Sequence, residues 1–175
     1  MTGNHVRHTV FKTAWGYFGF LCSADSLRRT VLPLPDRATA RGALLTDVDA
    51  PFEKDLARDL QHRIIAYFEG ENPDFSTDPA VDLPNCAPFA RNVLATCRQI
   101  PFGQTRSYSQ LAAQVSRARA ARSVGTAMAR NPVPLIVPCH RVVRSDGRLG
   151  GFSAFGGTNT KQRLLRHEQA LHTTT

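Results

Sequence analysis

The chain contains no run of eighteen apolar residues, so no helical membrane span is expected. Its first residues, Met1 to Phe11, are polar and lack the apolar centre of a secretion signal. A cytoplasmic protein is therefore expected, or a nuclear one in a eukaryote. Cysteine is scarce: residues 22, 86, 97 and 139, with no Cys-x-x-Cys and no tight Cys/His cluster. In a reducing compartment free thiols are the default, and no metal is expected. The one zinc pairing to consider, Cys22 with His5 or His8, lacks the paired spacing of structural sites. Two scarcities are confined to the second half. From Pro88 onward Asp146 and Glu168 are the only acids, and Lys161 is the only lysine.

What is present is arginine. The whole chain of 175 residues carries a net charge of +8. Residues 1–87 hold nine basic and twelve acidic residues, a net of −3. Residues 88–175 hold thirteen basic residues against two acids, a net of +11. Such a surface suits an anionic partner, nucleic acid or a membrane surface, although charge also serves solubility. The basic residues of this half are dispersed, among them Arg106, Arg117, Arg119, Arg122, Arg130, Arg141, Arg144 and Arg148. A folded basic face is expected rather than a tail, built from side chains that fork onto phosphate or stack on bases. Apolar residues make up 42% of the chain and charged ones 21%, which supports one or two cored domains and excludes a charged disordered chain.

Residues 9–35 alternate aromatic and small side chains and predict a small antiparallel sheet turning near Ser23-Ala24-Asp25. A helix is predicted to open at Asp49-Ala50-Pro51. Phe52, Leu56, Leu60, Ile64 and Phe68 recur every four residues before Gly70 stops it. The Pro- and Asp-rich stretch Glu71 to Cys86 is expected to be a linker, dividing a domain at 1–85 from one at 86–175. Pro88 then starts a helix with Phe89, Val93, Leu94 and Cys97 inward. Ser107 and Gln110 fit a capping box for a short helix through Leu111, Ala112 and Val115. A turn at Ser116-Arg117 leads to a second helix over 118–130, with Ala121, Val124 and Met128 inward, and Asn131-Pro132 ends it. Two short helices across a tight turn fit a helix-turn-helix. The small residues around Arg122, namely Ala121, Ser123 and Gly125, would let a helix backbone approach a DNA groove.

Leu135-Ile136-Val137 is expected as a short apolar strand delivering Pro138-Cys139-His140-Arg141-Val142. A cysteine beside a histidine and an arginine is poorly placed for an inert core thiol. Positive neighbours are expected to favour its thiolate, the nucleophilic form. Glu168 is a candidate carboxylate to orient His140, with a purely structural role as the competing reading.

These residues resemble the O6-alkylguanine-DNA alkyltransferases, the methylated-DNA–protein-cysteine methyltransferases. The resemblance covers the whole basic half. It rests on Pro138-Cys139-His140-Arg141-Val142 together with Ile100-Pro101-Phe102-Gly103, Tyr108, Ala120-Ala121-Arg122-Ser123-Val124-Gly125, Asn131-Pro132-Val133-Pro134, Gly151-Phe152-Ser153, Leu164-Leu165 and His167-Glu168. The first half is similar only in outline. The resemblance implies a ribonuclease-H-like α/β N-terminal domain followed by a mainly helical domain with a helix-turn-helix. It implies that Cys139 accepts an alkyl group from guanine O6 in duplex DNA, without a cofactor, as a monomer consumed by one reaction; O4-alkylthymine would be a second substrate. His140 and Glu168 match the family's proton relay, and Asn131 matches the residue tying the second helix to the active-site segment. Tyr108 matches the donor to the departing guanine, and Arg122 the finger that fills the stack left by a flipped base. Arg106 and Arg141 would add DNA contacts. Pro134, Val142, Phe152 and Ser153 would line the alkyl pocket. The segment Ala154 to Thr160 departs from the family's pattern and leaves the pocket's size open.

Bland readings stand beside these. Tyr108 could simply pack its ring, Arg122 could be a solvated helix charge, and Asn131 a helix stop. Three other functions compete: a non-repairing lesion binder, a helix-turn-helix regulator with a sensor half, and a Cys-His-Glu hydrolase. The first of these lacks the acceptor cysteine that is present here. The other two leave Tyr108, Arg122 and Asn131 unexplained as a set.

Overall fold

A computed structural model describes residues 6–24, 26–83 and 86–172. The chain forms two compact units, Met1–Leu83 and Pro84–Thr175. His5, Asp25, Pro84 and Asn85, which enter the zinc, turn and linker expectations, lie outside the described residues.

The first unit is built on strands β1 (Val6–Thr13), β2 (Gly16–Ser23) and β3 (Ser26–Leu34), paired antiparallel in sequence order. Only Ala14 and Trp15 separate the paired ends Thr13 and Gly16. Gly16 has φ +130°, and a Cβ there would stand 2.5 Å from the Leu34 carbonyl oxygen, so glycine is required on both counts. The central strand β2 is buried on both faces. Phe18 and Phe20 on one face meet Phe11 of β1 and Phe68. On the other, Leu21 packs with Val10, Leu34, Ala40 and Leu44.

After the sheet comes a helix that the sequence reading does not predict, α1 (Arg37–Leu44). Asp36 caps it by accepting from the Thr39 amide at 2.8 Å. Helix α2 (Arg58–Glu69) starts later than the period-four pattern predicts. Residues before it are drawn into the sheet instead. His8 N–H donates to Pro51 O and Glu53 N–H to His8 O, leaving Phe52 exposed along β1. Gly70 ends α2 in the left-handed region at φ 104°, as its position predicts. The expected linker also contains structure: β4 (Ala80–Val81) pairs parallel with β3 through Ser26 and Leu27.

The second unit is mainly helical. Helix α3 (Pro88–Arg98) has proline in its first turn and buries Val93, Leu94 and Cys97, with Phe89 half-buried. Strand β5 (Arg106–Ser107) precedes helix α4 (Tyr108–Gln114), and Ser107 and Gln110 form the expected capping box. Helix α5 (Ala121–Ala129) begins three residues later than predicted, because Arg117 to Ala120 close a further turn after Ser116 at φ 58°. Its inward residues are Val124, Ala127 and Met128, while Ala121 is only half-buried.

The expected strand Leu135–Val137 is absent. Leu135 takes φ +77° and Val137 N–H donates back to Val133 O, so 133–137 is a turn inside the core. Its apolar run reflects burial in a loop, which periodicity does not distinguish from a buried strand. A single 3-10 turn (Cys139–Arg141) leads to β6 (Val142–Val143), which pairs parallel with β5. Helix α6 (Gly157–His172) closes the unit. The unplaced segment 154–160 is a turn, Gly157 N–H donating to Ala154 O, followed by the first turn of α6.

Phe18→Ala removes a fully buried ring from the centre of the first sheet. It should cost about 3–5 kcal/mol of unfolding free energy, measured by urea titration; a loss below 1 kcal/mol would contradict this account of the core.

Candidate active site

Cys139 sits at the start of the 3-10 turn, 5% exposed. Its placement begins with Asn131, just past α5. The Asn131 side-chain amide donates to Val137 O at 2.8 Å, and its oxygen accepts from the Val133 amide at 3.1 Å. One side chain thus bridges both ends of the 133–137 turn that leads to Cys139. Its amide also favours the Cys139 thiolate.

His140 and Glu168 are both buried and meet at 2.7 Å, Nε2 to Oε1. Arg141 grips the same carboxylate with a fork, Nε to Oε2 and Nη2 to Oε1, each at 2.9 Å, and its Nη1 donates to Ile100 O at 2.6 Å. The Gly103 amide adds a fourth donor to Glu168 at 3.1 Å. Burial opposes a charge on Glu168, but the charges and hydrogen bonds of His140 and Arg141 outweigh it and hold the carboxyl well below the usual range. An ionised Glu168 makes His140 Nε2 the donor, so Nδ1 carries the free lone pair. Burial lowers the His140 pKa below its ordinary 6.5, which keeps the ring neutral and able to accept a proton at pH 7.

Two expectations are corrected here. Arg141 is not a surface contact for DNA: it is buried, its donors are engaged inside the unit, and it lies over the Phe102 ring. Nor do positive neighbours hold Cys139 as a thiolate. Burial pushes its pKa up from 9.0 against the pull of Asn131 and Lys161. The thiol rests protonated and needs a base when it reacts.

Tyr108, first residue of α4, is half-buried. A Cβ on Gly125 of α5 would touch its ring edge at 3.9 Å, and one on Gly150 would fall 2.1 Å from its hydroxyl, so the chain at 150 passes too close to the hydroxyl for any side chain. Lys161 joins the site although no motif in the sequence marks it. It is fully buried, its Nζ donating to Val142 O at 2.5 Å and to the Tyr108 hydroxyl at 3.4 Å. Signals for it existed: it is the single lysine of an arginine-rich half, and it lies seven residues, two turns, before Glu168 on one helix face.

The remaining predicted residues are dispersed. Arg122 and Ser123 are exposed in the first turn of α5, beside the half-buried Ala121. Arg106 is half-buried with its guanidinium on Thr105 O and Gln104. Phe152 is half-buried and Ser153 exposed, whereas Pro134 and Val142 are buried. Among the described residues no group of three His, Cys, Asp or Glu is arranged to hold a metal; His8 is buried, with its Nδ1 2.9 Å from Ala50 O.

Residues 88–170 match the family model described as 6-O-methylguanine DNA methyltransferase, DNA binding domain. The methylated-DNA–protein-cysteine methyltransferase of Methanosarcina barkeri is 37% identical over 116 residues, 66% of this chain and 70% of that protein. The chain belongs to the methylated-DNA–protein-cysteine methyltransferase family. The enzyme of the same name from Shigella flexneri is 42% identical over 62% of this chain and 61% of its own length. The crystal structure of the Mycobacterium tuberculosis O6-methylguanine methyltransferase superposes on 94% of this chain and 93% of its own with TM-score 0.76 at 30% identity. The crystal structure of Mycobacterium tuberculosis OGT in complex with DNA superposes with TM-score 0.75 at 28% identity, over 94% of each chain. Both units of this family member are thus represented in solved relatives.

Glu168→Gln leaves the buried Arg141 guanidinium without its counter-charge. Stability should fall by about 3–5 kcal/mol in denaturant titration. An unchanged midpoint would mean the fork contributes nothing.

Proposed function

We propose that this chain repairs DNA by moving the alkyl group of O6-alkylguanine, and of O4-alkylthymine, onto Cys139. The observation that carries the proposal is the buried Glu168–His140 pair next in sequence to Cys139, whose thiol burial keeps protonated and whose preceding turn Asn131 braces. The neutral His140 takes the thiol proton at Nδ1 through a water. Sulfur attacks the alkyl carbon, a C–S bond forms, and the C–O6 bond breaks with its electron pair going to the guanine. The Tyr108 hydroxyl donates to the departing base near N3. The product thioether has no good leaving group, so each molecule reacts once and no cofactor takes part.

An O6-alkyl group lies within the base stack, so the nucleotide is flipped out for reaction, and a damaged, weakly paired base costs least to extrude. Helices α4 and α5 act as the helix-turn-helix, with α5 approaching the minor groove through Ala121, Ser123 and Gly125. Arg122 enters the stack, while arginines of the net +11 half hold phosphates and make binding salt-sensitive. Phe152, Ser153 and Pro134 wall the alkyl pocket. The first unit has the ribonuclease-H-like form. The protein acts as a monomer on duplex DNA in the cytoplasm, or in the nucleus of a eukaryote.

Incubation with duplex DNA bearing O6-methylguanine should add about 14 Da to the Cys139 peptide, and nothing to Cys139→Ser, by mass spectrometry. An unmodified Cys139 with the lesion bound would favour a lesion-binding relative instead. Arg122→Ala should slow transfer from duplex DNA by about tenfold or more while leaving reaction with free O6-methylguanine base unchanged; equal losses on both would make Arg122 structural. A protonated imidazole accepts no proton, and burial places the His140 titration below 6.5. The transfer rate should therefore hold from pH 8 down to about 6.5 and fall only below it. A fall beginning above pH 7 would contradict His140 as the base.

A further inference from the structure

Arg144 lies outside the machinery described so far. The β5–β6 ladder pairs Arg106 with Val142 and Ser107 with Val143, so the next residues along the two strands are Tyr108 and Arg144. Arg144 is exposed and starts the turn closed by its amide on Arg148 O and by the Gly147 amide on its carbonyl. Asp146, the one acid of that turn, is engaged by Arg148 rather than by Arg144. The Arg144 guanidinium forms no hydrogen bond or ion pair among the described residues. Its charge instead acts on the Tyr108 phenol, favouring ionisation.

The phenol stands between opposed influences. Burial and the negative charge of a Cys139 thiolate disfavour ionisation of Tyr108, Cys97 adds to this, and Arg144 opposes it. Lys161 donates to the phenol oxygen from the buried side and stands over the ring at 5.7 Å. With its oxygen accepting from Lys161, the hydroxyl keeps its own proton for a further acceptor. Lys161 thus reaches Tyr108 from the core, while the exposed Arg144 follows Val143 on the strand paired beside Ser107. As sulfur attacks, negative charge develops on the guanine that Tyr108 faces, and a more acidic phenol donates better at that moment.

We propose that Arg144 is a positioning residue for alkyl transfer that acts through Tyr108, its guanidinium across the ladder strengthening the hydroxyl as donor to the departing guanine. The inference rests on the proposed repair reaction. It makes the second strand of the ladder part of leaving-group stabilisation, whereas a phosphate contact would serve only binding to DNA.

The test uses Arg144→Gln, Arg144→Glu and Arg144→Lys in the full chain. Tyr108 titration is read from tyrosinate absorbance, with Tyr108→Phe subtracting Tyr17 and Tyr67. Transfer to Cys139 is timed on both free O6-methylguanine base and duplex DNA. Arg144→Gln should move the Tyr108 titration to higher pH and slow both reactions by the same factor, about three- to tenfold, the size expected of one solvent-screened charge. Arg144→Glu should do more, and Arg144→Lys should restore most of the rate. A loss on duplex DNA alone, with the Tyr108 titration unmoved, would overturn the proposal in favour of a phosphate contact. Unchanged rates on both substrates would overturn it outright. Failure of the unsubstituted protein to alkylate Cys139 on either substrate would instead refute the repair reaction itself.

Discussion

The second unit depends on one buried carboxylate. Glu168 of α6 is reached by His140 and Arg141 from the 3-10 turn and by the Gly103 amide from the loop after α3. An isolated carboxylate at this depth would cost several kcal/mol, and four donors make the position tenable. The same donors fix three chain segments against one another, so the cost of burying the charge and the accuracy of the site are linked. The guanidinium takes part in both. It neutralises Glu168, and it adds to the burial that keeps the imidazole uncharged. A carboxylate facing His140 alone would favour an imidazolium, which cannot accept a thiol proton. Sharing Glu168 between an arginine and a histidine gives a tautomer that is fixed and a base that is free.

Around this charge the site is organised by side chains that bind backbone. Asn131 spans the 133–137 turn, Lys161 holds the Val142 carbonyl, and Arg141 holds that of Ile100. Each satisfies a carbonyl in or beside irregular chain that no regular helix or sheet ladder would satisfy. Cys139 can therefore sit on a tight turn in the core without stranding its neighbours' polar groups.

Features set by local chemistry were legible in the sequence. The Ser107–Gln110 capping box, the Gly70 stop and the antiparallel sheet near the start of the chain needed only neighbouring residues. Those decided by distant partners were not. Phe52 fits a helical period but pairs beside His8, and Leu135–Val137 looks like a strand but turns under the clamp of Asn131. Burial of charge was the least visible: nothing in the spacing distinguishes Arg141, enclosed with Glu168, from Arg122 at the surface. The scarcity of acid in that half was the available clue, since one of two carboxylates had to carry any charge pairing in the core. Cys139, His140 and Glu168 were named through a resemblance to a family, and the structure brings His140 and Glu168 into contact.

The place of Lys161 has a chemical consequence. It is the only lysine after residue 87, and it is sealed in the core, while Lys12 and Lys54 are exposed on the first unit. The described surface of the second unit therefore presents guanidinium groups and no primary amine. A guanidinium stays protonated and is a poor nucleophile at any physiological pH. A strongly basic face can thus be held against an electrophilic carbon without offering that carbon a rival amine, so the composition that grips an anion also protects the selectivity of the thiol.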